Sequence, residues 1–408
     1  MDNSMKSTKH VHPMNKVHKS FEKNLHEHEK KTFGGMFYTD KAKKLHIAVM
    51  NSRDPLVEQM AADNVVFHEV KHSWEDLNDV QNAVTSIFNK YGIHTASFEP
   101  EANRINIGVE TVNGDVIRAI QAEMKGMGYA DNSMYGITQM DRISGFKPMN
   151  DSDAVVAEAV NYALAAEAVS ADEVNALTVM PGGMIQVKNN NGSYVQLCSV
   201  NFGYIYNNTP YLVGAGHTGS AGYVGCDAYY VPPIIAVNGE AAYPIAGMDT
   251  TYNAVNRVKI GVVALQRLGG NYDLRTIRIT EPNINFTHVA YNGCRVSELG
   301  GTVTQGAPLR ICGVTTRYDA DYEVGYCANA QTSVSAYDTT MTNMIKLDIG
   351  ANNGTSGGPV MTPRDDGTYR LVGIASVNGV GVCYAAPVRY MMSTYGLSMM
   401  SEGSIAIG

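Results

Sequence analysis

The rhythm of apolar and polar positions changes near residue 180. Ahead of that point, strand and helix periods alternate. Positions 34–40 and 45–50 read as two strands around a charged turn, Lys41 to Lys44. Ser73 then caps a predicted helix in which Trp74, Leu77, Val80, Val84, Ile87 and Phe88 recur at helical spacing as far as Gly92. A hairpin is expected at 95–98 and 105–109 around the polar turn 99–103. Asp115 is the expected cap of another helix through Ile117, Ile120 and Met124, ending near Gly126 or Gly128. Strand pair, helix, strand pair, helix predicts a compact α+β domain. An alanine-rich helix is expected at 151–168.

From Met184 onward the pattern is that of strands. Short alternating or apolar runs at 194–205, 211–213, 234–237, 258–265, 274–279, 309–314, 344–347 and 371–376 are separated by Gly, Asn and Pro. That spacing predicts a β-barrel or sandwich. Positions 387–395 read as a terminal helix ahead of Gly396.

Composition sharpens this division. A chain of 408 residues implies two or more units, and 44% hydrophobic with 17% charged residues describes a globular protein. A net charge of −8 weighs against a nucleic-acid partner. No apolar run reaches 18 residues, so no membrane span is expected. Residues 1–180 carry 18 Lys+Arg and 25 Asp+Glu, against 13 and 14 in the longer stretch 181–408. All six cysteines (198, 226, 294, 312, 327, 383) fall in the charge-poor part. An even number confined to one region suggests disulfides made in an oxidising compartment, with free thiols as the alternative. No C-x-x-C pair occurs, and neither a metal nor a cofactor is expected. Residues 1–32 are basic, hold histidines 10, 12, 18, 26 and 28, and lack the apolar core of a signal peptide. A solvated tail is expected there.

One string carries chemistry. Gly354-Thr-Ser-Gly-Gly-Pro359 surrounds Ser356 with residues that permit a tight turn, which would aim the N–H groups of Gly354 and Ser356 at one point. A serine hydroxyl becomes a nucleophile only when a base takes its proton and donors receive the oxyanion. Only His217 and His288 lie beyond residue 180. His288 has no small-residue setting and reads as structural. His217 follows an apolar run and Gly214-Ala-Gly216, which places it at a strand end with room to approach another loop. A third group must orient the imidazole. Seven aspartates stand between His217 and Ser356, at 227, 249, 273, 319, 321, 338 and 348. Asp273 is preferred because a Gly269-Gly-Asn-Tyr272 turn leads into its strand, with Asp249 as runner-up. The expected chemistry is acyl transfer.

The order His217, Asp273, Ser356 resembles the chymotrypsin-fold serine proteases. More narrowly, the chain is similar to the secreted bacterial branch of streptogrisins and alpha-lytic protease. Cys198-Ser-Val-Asn-Phe-Gly203, Gly214-Ala-Gly-His217, Gly270-Asn-Tyr-Asp273, Cys312 through Cys327, and the closing stretch 386–398 carry the likeness in the right order. Upstream, Phe33-Gly-Gly-Met-Phe-Tyr38 and Leu45-His-Ile-Ala-Val49 resemble that family's pro-region. The resemblance covers roughly residues 33–408. It implies an α+β pro-domain (33–180) followed by an all-β chymotrypsin-like double β-barrel (181–408).

The implied activity is that of a secreted serine endopeptidase, monomeric, acting on polypeptides and made with its own pro-region as folding chaperone and inhibitor. Such a helper suits a barrel built from non-local pairings, which is slow to close. Cleavage is expected between 176 and 184. By the resemblance Ser356 is nucleophile, His217 general base and then acid, and Asp273 the orienter. Gly354 and Ser356 would form the oxyanion hole. Ser376, Val377 and Asn378 would be the edge strand for substrate, with Ser376 also bonding Asp273.

Some positions depart from the family. Thr355 replaces its usual Asp, so activation by an ion pair to a new amino terminus is not expected. Thr218 replaces a cysteine, and Asn352 stands near where another lies. The resemblance then implies disulfides 198–226, 312–327 and 294–383. The pocket floor is expected from 348–353 and 376–384. With Gly350 and Ala351 uncharged it should suit a medium or large apolar side chain, whereas Asp348 inside it would favour Arg or Lys. Alternatives are a stable accessory domain at 33–180, and a catalytically inactive, protease-like peptide-binding protein.

Overall fold

The computed structural model describes residues 31–40, 43–53, 57, 63–141, 143–145, 177–190, 192–218, 223–232, 234–235, 241–242, 257–290, 292–314, 324–351 and 354–404. The tail to residue 30, the helix expected at 151–168, and Asp249, Asp319 and Asp321 lie outside them. The N-terminal region holds β1 (Phe33–Thr39), β2 (Lys44–Val49), β3 (Val65–Glu69), α1 (Trp74–Ser86), β4 (Ile93–Glu99), β5 (Arg104–Val109), α2 (Gly114–Gly126), β6 (Tyr135–Gln139) and β7 (Ser144–Gly145).

Helix α1 starts where the sequence indicates. Ser73 accepts the Asp76 N–H while the Asp76 carboxylate accepts from Ser73, a capping box, and Leu77, Val80 and Val84 are buried along one face. Helix α2 starts earlier than expected. Asn113, not Asp115, is its cap, and the Asn113 side chain accepts the N–H groups of Asp115 and Val116. Asp115 falls in the first turn, where its charge complements the helix dipole. Strands β3 and β6 had no sequence signal. Each joins its neighbour in parallel, β3 on β2 and β6 on β5, so neither is announced by a hairpin turn.

The remaining chain is almost entirely strand. It begins with β8 (Leu177–Val179), β9 (Met184–Lys188), β10 (Tyr194–Ser199), β11 (Gly203–Tyr206), β12 (Thr209–Gly214), β13 (Asp227–Val231), β14 (Ile234–Ile235), β15 (Ala241–Ala242), β16 (Val258–Gly269), β17 (Tyr272–Ile279) and β18 (Ile284–Phe286). It continues with β19 (Val296–Leu299), β20 (Pro308–Ile311), β21 (Val324–Ala336), β22 (Thr339–Leu347), β23 (Pro359–Pro363), β24 (Tyr369–Gly379), β25 (Val382–Pro387), α3 (Val388–Tyr395), β26 (Ser398–Met399) and β27 (Gly403–Ser404).

These strands form two large sheets. The first is antiparallel with order β10-β9-β13-β16-β17-β12-β11-β26. The second runs β20-β23-β24-β25-β22-β21 and closes on itself through β20–β21. It does not end there. Thr332–Val334 of β21 pairs antiparallel with Thr95–Ser97 of β4, and β5 and β6 continue the same sheet.

The cores follow the sheets. One lies in the first sheet and reaches Met344, Leu371 and Ile374 of the second. Another packs Leu45, Ile47 and Val49 of β2 against Leu309, Ile345, Leu347 and Val360 of the second sheet. A third belongs to α1, α2 and β4–β6 alone. The strands of the N-terminal region thus extend the second sheet and add to that sheet's core. Among the described residues, no helix is long and apolar enough to cross a membrane.

Candidate active site

The register of the first sheet decides where His217 goes. Strand β12 pairs antiparallel with β17, Gly214 opposite Arg275, so the chain leaving β12 runs straight towards Asp273. A close approach there requires glycine: a Cβ on Gly216 would stand 2.6 Å from the Arg267 carbonyl oxygen. Asp273 is the second residue of β17, just past the tight turn from β16, with its side chain fully buried. It meets His217 twice. The His217 N–H donates to Oδ1 at 2.8 Å, and the ring Nδ1 lies 2.6 Å from Oδ2.

Ser356 comes from the other sheet, on the loop between β22 and β23. Its Oγ lies 2.9 Å from His217 Nε2. With Nδ1–H donating to Asp273, Nε2 is left to accept the serine proton. The loop around Ser356 is held by a nearly complete set of backbone bonds. The carbonyl of Gly354 accepts from Ser199 Oγ, that of Thr355 from Gly358 N, and that of Ser356 from Ser199 N. The carbonyl of Gly357 accepts from Asn201 Nδ2, and that of Gly358 from Ala375 N. Gly357 N–H donates to Ala375 O. Every carbonyl from 354 to 358 is thus engaged behind the loop, and the N–H groups of Gly354 and Ser356 are not used in any of these bonds. Gly357 has φ +85°, and a Cβ on it would stand 2.5 Å from the Ser199 carbonyl, so this loop packs on the first sheet only as glycine.

Ser376, on β24, donates its hydroxyl to Asp273 Oδ2. Burial alone would raise the Asp273 carboxyl. The His217 charge and the bonds from the His217 ring, the Ser376 hydroxyl and the His217 N–H outweigh it, and hold the group below the usual carboxylate range. Arg275, also fully buried, donates to the Gly216 carbonyl at 3.3 Å, and burial lowers its own pKa.

Sequence reasoning assigned no role to two neighbours. Tyr337 stacks on the His217 ring, centroids 4.5 Å apart and planes 11° from parallel, and its hydroxyl donates to the Ser376 carbonyl at 2.8 Å. It sits with Asp338 in the two-residue turn between β21 and β22, both at positive φ (54° and 57°). Asn and Gly are the usual residues of such a turn, so Tyr-Asp gave no signal. The second is the pair Ser199 and Asn201, which hold the Gly354 and Gly357 carbonyls from the first sheet.

The structure also places the remaining expected residues. Ser376, Val377 and Asn378 lie along β24 beside the Ser356 loop, and β7 pairs antiparallel with the last two, Gly145 opposite Val377 and Ser144 opposite Asn378. Asn378 also clasps Ala351, donating to its carbonyl at 2.5 Å and accepting its N–H at 3.0 Å. Asp348 turns to the Tyr326 N–H and Asp227 to Lys259. Among the described residues no three His, Cys, Asp or Glu side chains gather in a way that could hold a metal.

The disulfide expectation is corrected. All six cysteines are described, and the structure forms no bridge among them. Cys198 lies opposite Ile185, which lies opposite Tyr230, so Cys226 is two strands away and four residues further along. At about 4.8 Å per strand and 3.4 Å per residue that exceeds disulfide reach. Cys327 bonds across to Ala307, five residues before Cys312. Cys294 belongs to the first sheet's core and Cys383 to the core shared with β2. Burial instead pushes the Cys198 thiol up to about 11 and the Cys383 thiol up to about 12.

No protein-family model matches the chain, and no curated protein matches it. Solved structures do. A Nocardiopsis protease is similar at 21% identity and TM-score 0.38, over 55% of this chain and 100% of its own. An alpha-lytic protease homolog, N4, shares 18% identity with TM-score 0.39, over 56% of this chain and all of its own. Protease A of Thermobifida fusca shares 19% identity with TM-score 0.37, over 55% and 100%. These likenesses span about half of the chain and say nothing about which residues react.

Proposed function

We propose that the chain is a serine endopeptidase in which Ser356, His217 and Asp273 carry out acyl transfer. One observation carries the reading: two sheets deliver a serine hydroxyl, an imidazole and a buried carboxylate in a continuous line of 2.9 Å and 2.6 Å contacts. Ser356 Oγ attacks a peptide carbonyl as His217 Nε2 takes its proton. The resulting oxyanion is received by the N–H groups of Gly354 and Ser356, where loss of one donor costs on the order of 10²–10³ in rate. His217 returns the proton to the leaving amine, and water repeats the cycle on the acyl-enzyme. Asp273 keeps Nδ1 protonated and stabilises the imidazolium.

The region 33 to about 176 acts as an intramolecular chaperone and inhibitor. Two contacts support this. Its β4 extends the second sheet, and its β7 lies along β24, on the edge that an extended peptide would pair with. Leu177–Val179 pairs with β18 of the strand-rich part, which favours a cut ahead of Leu177. A second reading, a peptide-binding protein that does not cut, draws on Tyr337, which covers His217 and engages the Ser376 carbonyl. Labelling by a fluorophosphonate probe separates the two. The full chain, folded and then cut ahead of Leu177 to release the N-terminal segment, should label, and Ser356→Ala treated the same way should not; an unlabelled wild type, or equal labelling of the variant, would reject the enzyme.

A further inference from the structure

Ser199 and Asn201 belong to the first sheet, at the end of β10 and just before β11, yet their side chains are committed to the nucleophile loop of the second. Both are fully buried. Ser199 Oγ accepts the Val314 N–H at 3.1 Å and donates to the Gly354 carbonyl at 2.9 Å, while its N–H donates to the Ser356 carbonyl at 2.6 Å. Asn201 Nδ2 donates to the carbonyls of Gly357 at 3.0 Å and Gly373 at 3.2 Å.

Both partners of the Asn201 amide are carbonyl oxygens, so its nitrogen must face them. Its Oδ1 is left buried with no hydrogen-bond partner. A buried, unmatched acceptor is unfavourable, and an apolar side chain would avoid it. What retains asparagine here is the work of its nitrogen.

Peptide units are planar, so a loop moves as a chain of plates hinged at Cα atoms. The plate between Gly354 and Thr355 separates the two N–H donors, and the Ser199 hydroxyl fixes it. The Ser199 N–H fixes the plate after Ser356, and Asn201 fixes the next. We propose that Ser199 and Asn201 are positioning residues for the oxyanion site. They hold the carbonyls of Gly354 and Gly357 behind the loop so that the Gly354 and Ser356 N–H groups converge on the substrate oxygen. Neither side chain touches substrate. They also lock the sheet that supplies the base to the loop that supplies the nucleophile. The proposal rests on the acyl-transfer reading of Ser356, His217 and Asp273.

The test uses the full chain, folded and then cut ahead of Leu177 to release the N-terminal segment, with Ser199→Ala, Asn201→Ala and Asn201→Asp, the last being isosteric but unable to donate when ionised. Hydrolysis of a peptide ester and affinity for the matching peptide boronate, whose tetrahedral adduct needs the same donors, are measured beside thermal melting. Misplaced donors should lower kcat roughly ten- to hundred-fold, with KM within about two-fold. Boronate affinity should fall in step with kcat, since both report transition-state stabilisation. Asn201→Asp should be the most impaired. Folded variants that melt earlier but keep kcat and boronate affinity would reduce both residues to structural supports and overturn the proposal. If Ser199→Ala does not fold, the two Asn201 variants decide it by the same comparison. A wild type that neither hydrolyses the ester nor labels would instead overturn the catalytic reading, and this proposal with it.

Discussion

The sheet that holds His217 and Asp273 and the sheet that holds Ser356 and Ser376 are completed in different ways. The first draws all its strands from residues after 183, with β9, β10, β12, β13, β16 and β17 paired by antiparallel registers. The second borrows. It continues into β4, β5 and β6, and its core includes Leu45, Ile47 and Val49 from β2. The Ser356 half therefore draws on β2 and β4–β6, chain that lies roughly 170 to 260 residues ahead of β20. The His217 half takes no strand from that region, and only Ile143, with Met140 packed beside it, joins its core. The proposed chaperone action of the N-terminal region therefore falls on the Ser356 half.

The largest effect should come from removing that region. A chain starting at residue 177 lacks the partner of β21 and leaves Leu309, Ile345 and Leu347 without the β2 side of their core. Fluorophosphonate labelling of Ser356 should fall to background and return when residues 31–145 are added separately during refolding and then removed. A shortened chain that folds alone and labels like the full one would abolish the contrast between the sheets.

Single cavities should sharpen it. Leu45→Ala removes a side chain with no exposed area from the shared core and should cost about 2–5 kcal/mol. Leu77→Ala removes an equally buried leucine from the core private to α1, α2 and β4–β6, at a similar cost. Hydrogen exchange followed by mass spectrometry should show the first variant loosening β20–β25 and the second loosening mainly the N-terminal helices. Equal loosening of β20–β25 by both would place the dependence elsewhere.

The smallest effect is a pH window. Burial, then the positive charges of His68 and Lys44, lowers the His46 pKa against the opposing pull of Glu101 and Asp40. Burial also lowers His72, with Lys71 assisting and Asp131 and Asp76 opposing. A histidine depressed in the folded state stabilises it above its unfolded pKa, about 6.5, and that contribution is lost as pH falls through the folded value. Asp273 is depressed too, so its contribution is present above the ordinary aspartate value, about 3.9, and is lost only below that. Between about pH 6 and pH 4 the N-terminal region should weaken while Asp273 stays charged. Limited proteolysis should cut β1–β6 faster at pH 5 than at pH 7.5, with the protection of β12 and β17 relative to intrinsic exchange unchanged. Reduced protection of β12 and β17 over the same range would refute the ordering.

Legibility in the sequence followed the range of the interactions. The capping box at Ser73 and Asp76, the turn before Asp273 and the glycines about Ser356 are local, and each could be read from a few adjacent residues. The cap at Asn113 was misread by two positions because Asn and Asp both suit a helix start. The parallel strands β3 and β6 escaped because no hairpin turn marks them. Cysteine arithmetic misled for a different reason: an even count says nothing about registers, and registers keep Cys198 and Cys226 apart. Tyr337 was unreadable, since it sits in no motif that differs from ordinary strand and turn sequence; Asn201 lies within the string 198–203, but nothing local says which loop its side chain reaches.

By itself, then, the sequence determined the chemical candidates and the character of the two parts. Short-range backbone constraints and side-chain chemistry were enough for a serine in a glycine turn, a histidine at a strand end, and an α+β stretch followed by strands. The tertiary structure decided which groups meet. His217 and Ser356 are 139 residues apart, and Ser199 and Gly354 are 155 apart. Contacts of that span exist only once two sheets have set their registers and packed, because no local preference can carry information across so much intervening chain. The borrowing of β4–β6 by the nucleophile sheet is of the same kind: it depends on an open edge at β21 and a matching edge at β4, and neither edge exists until the strands have formed.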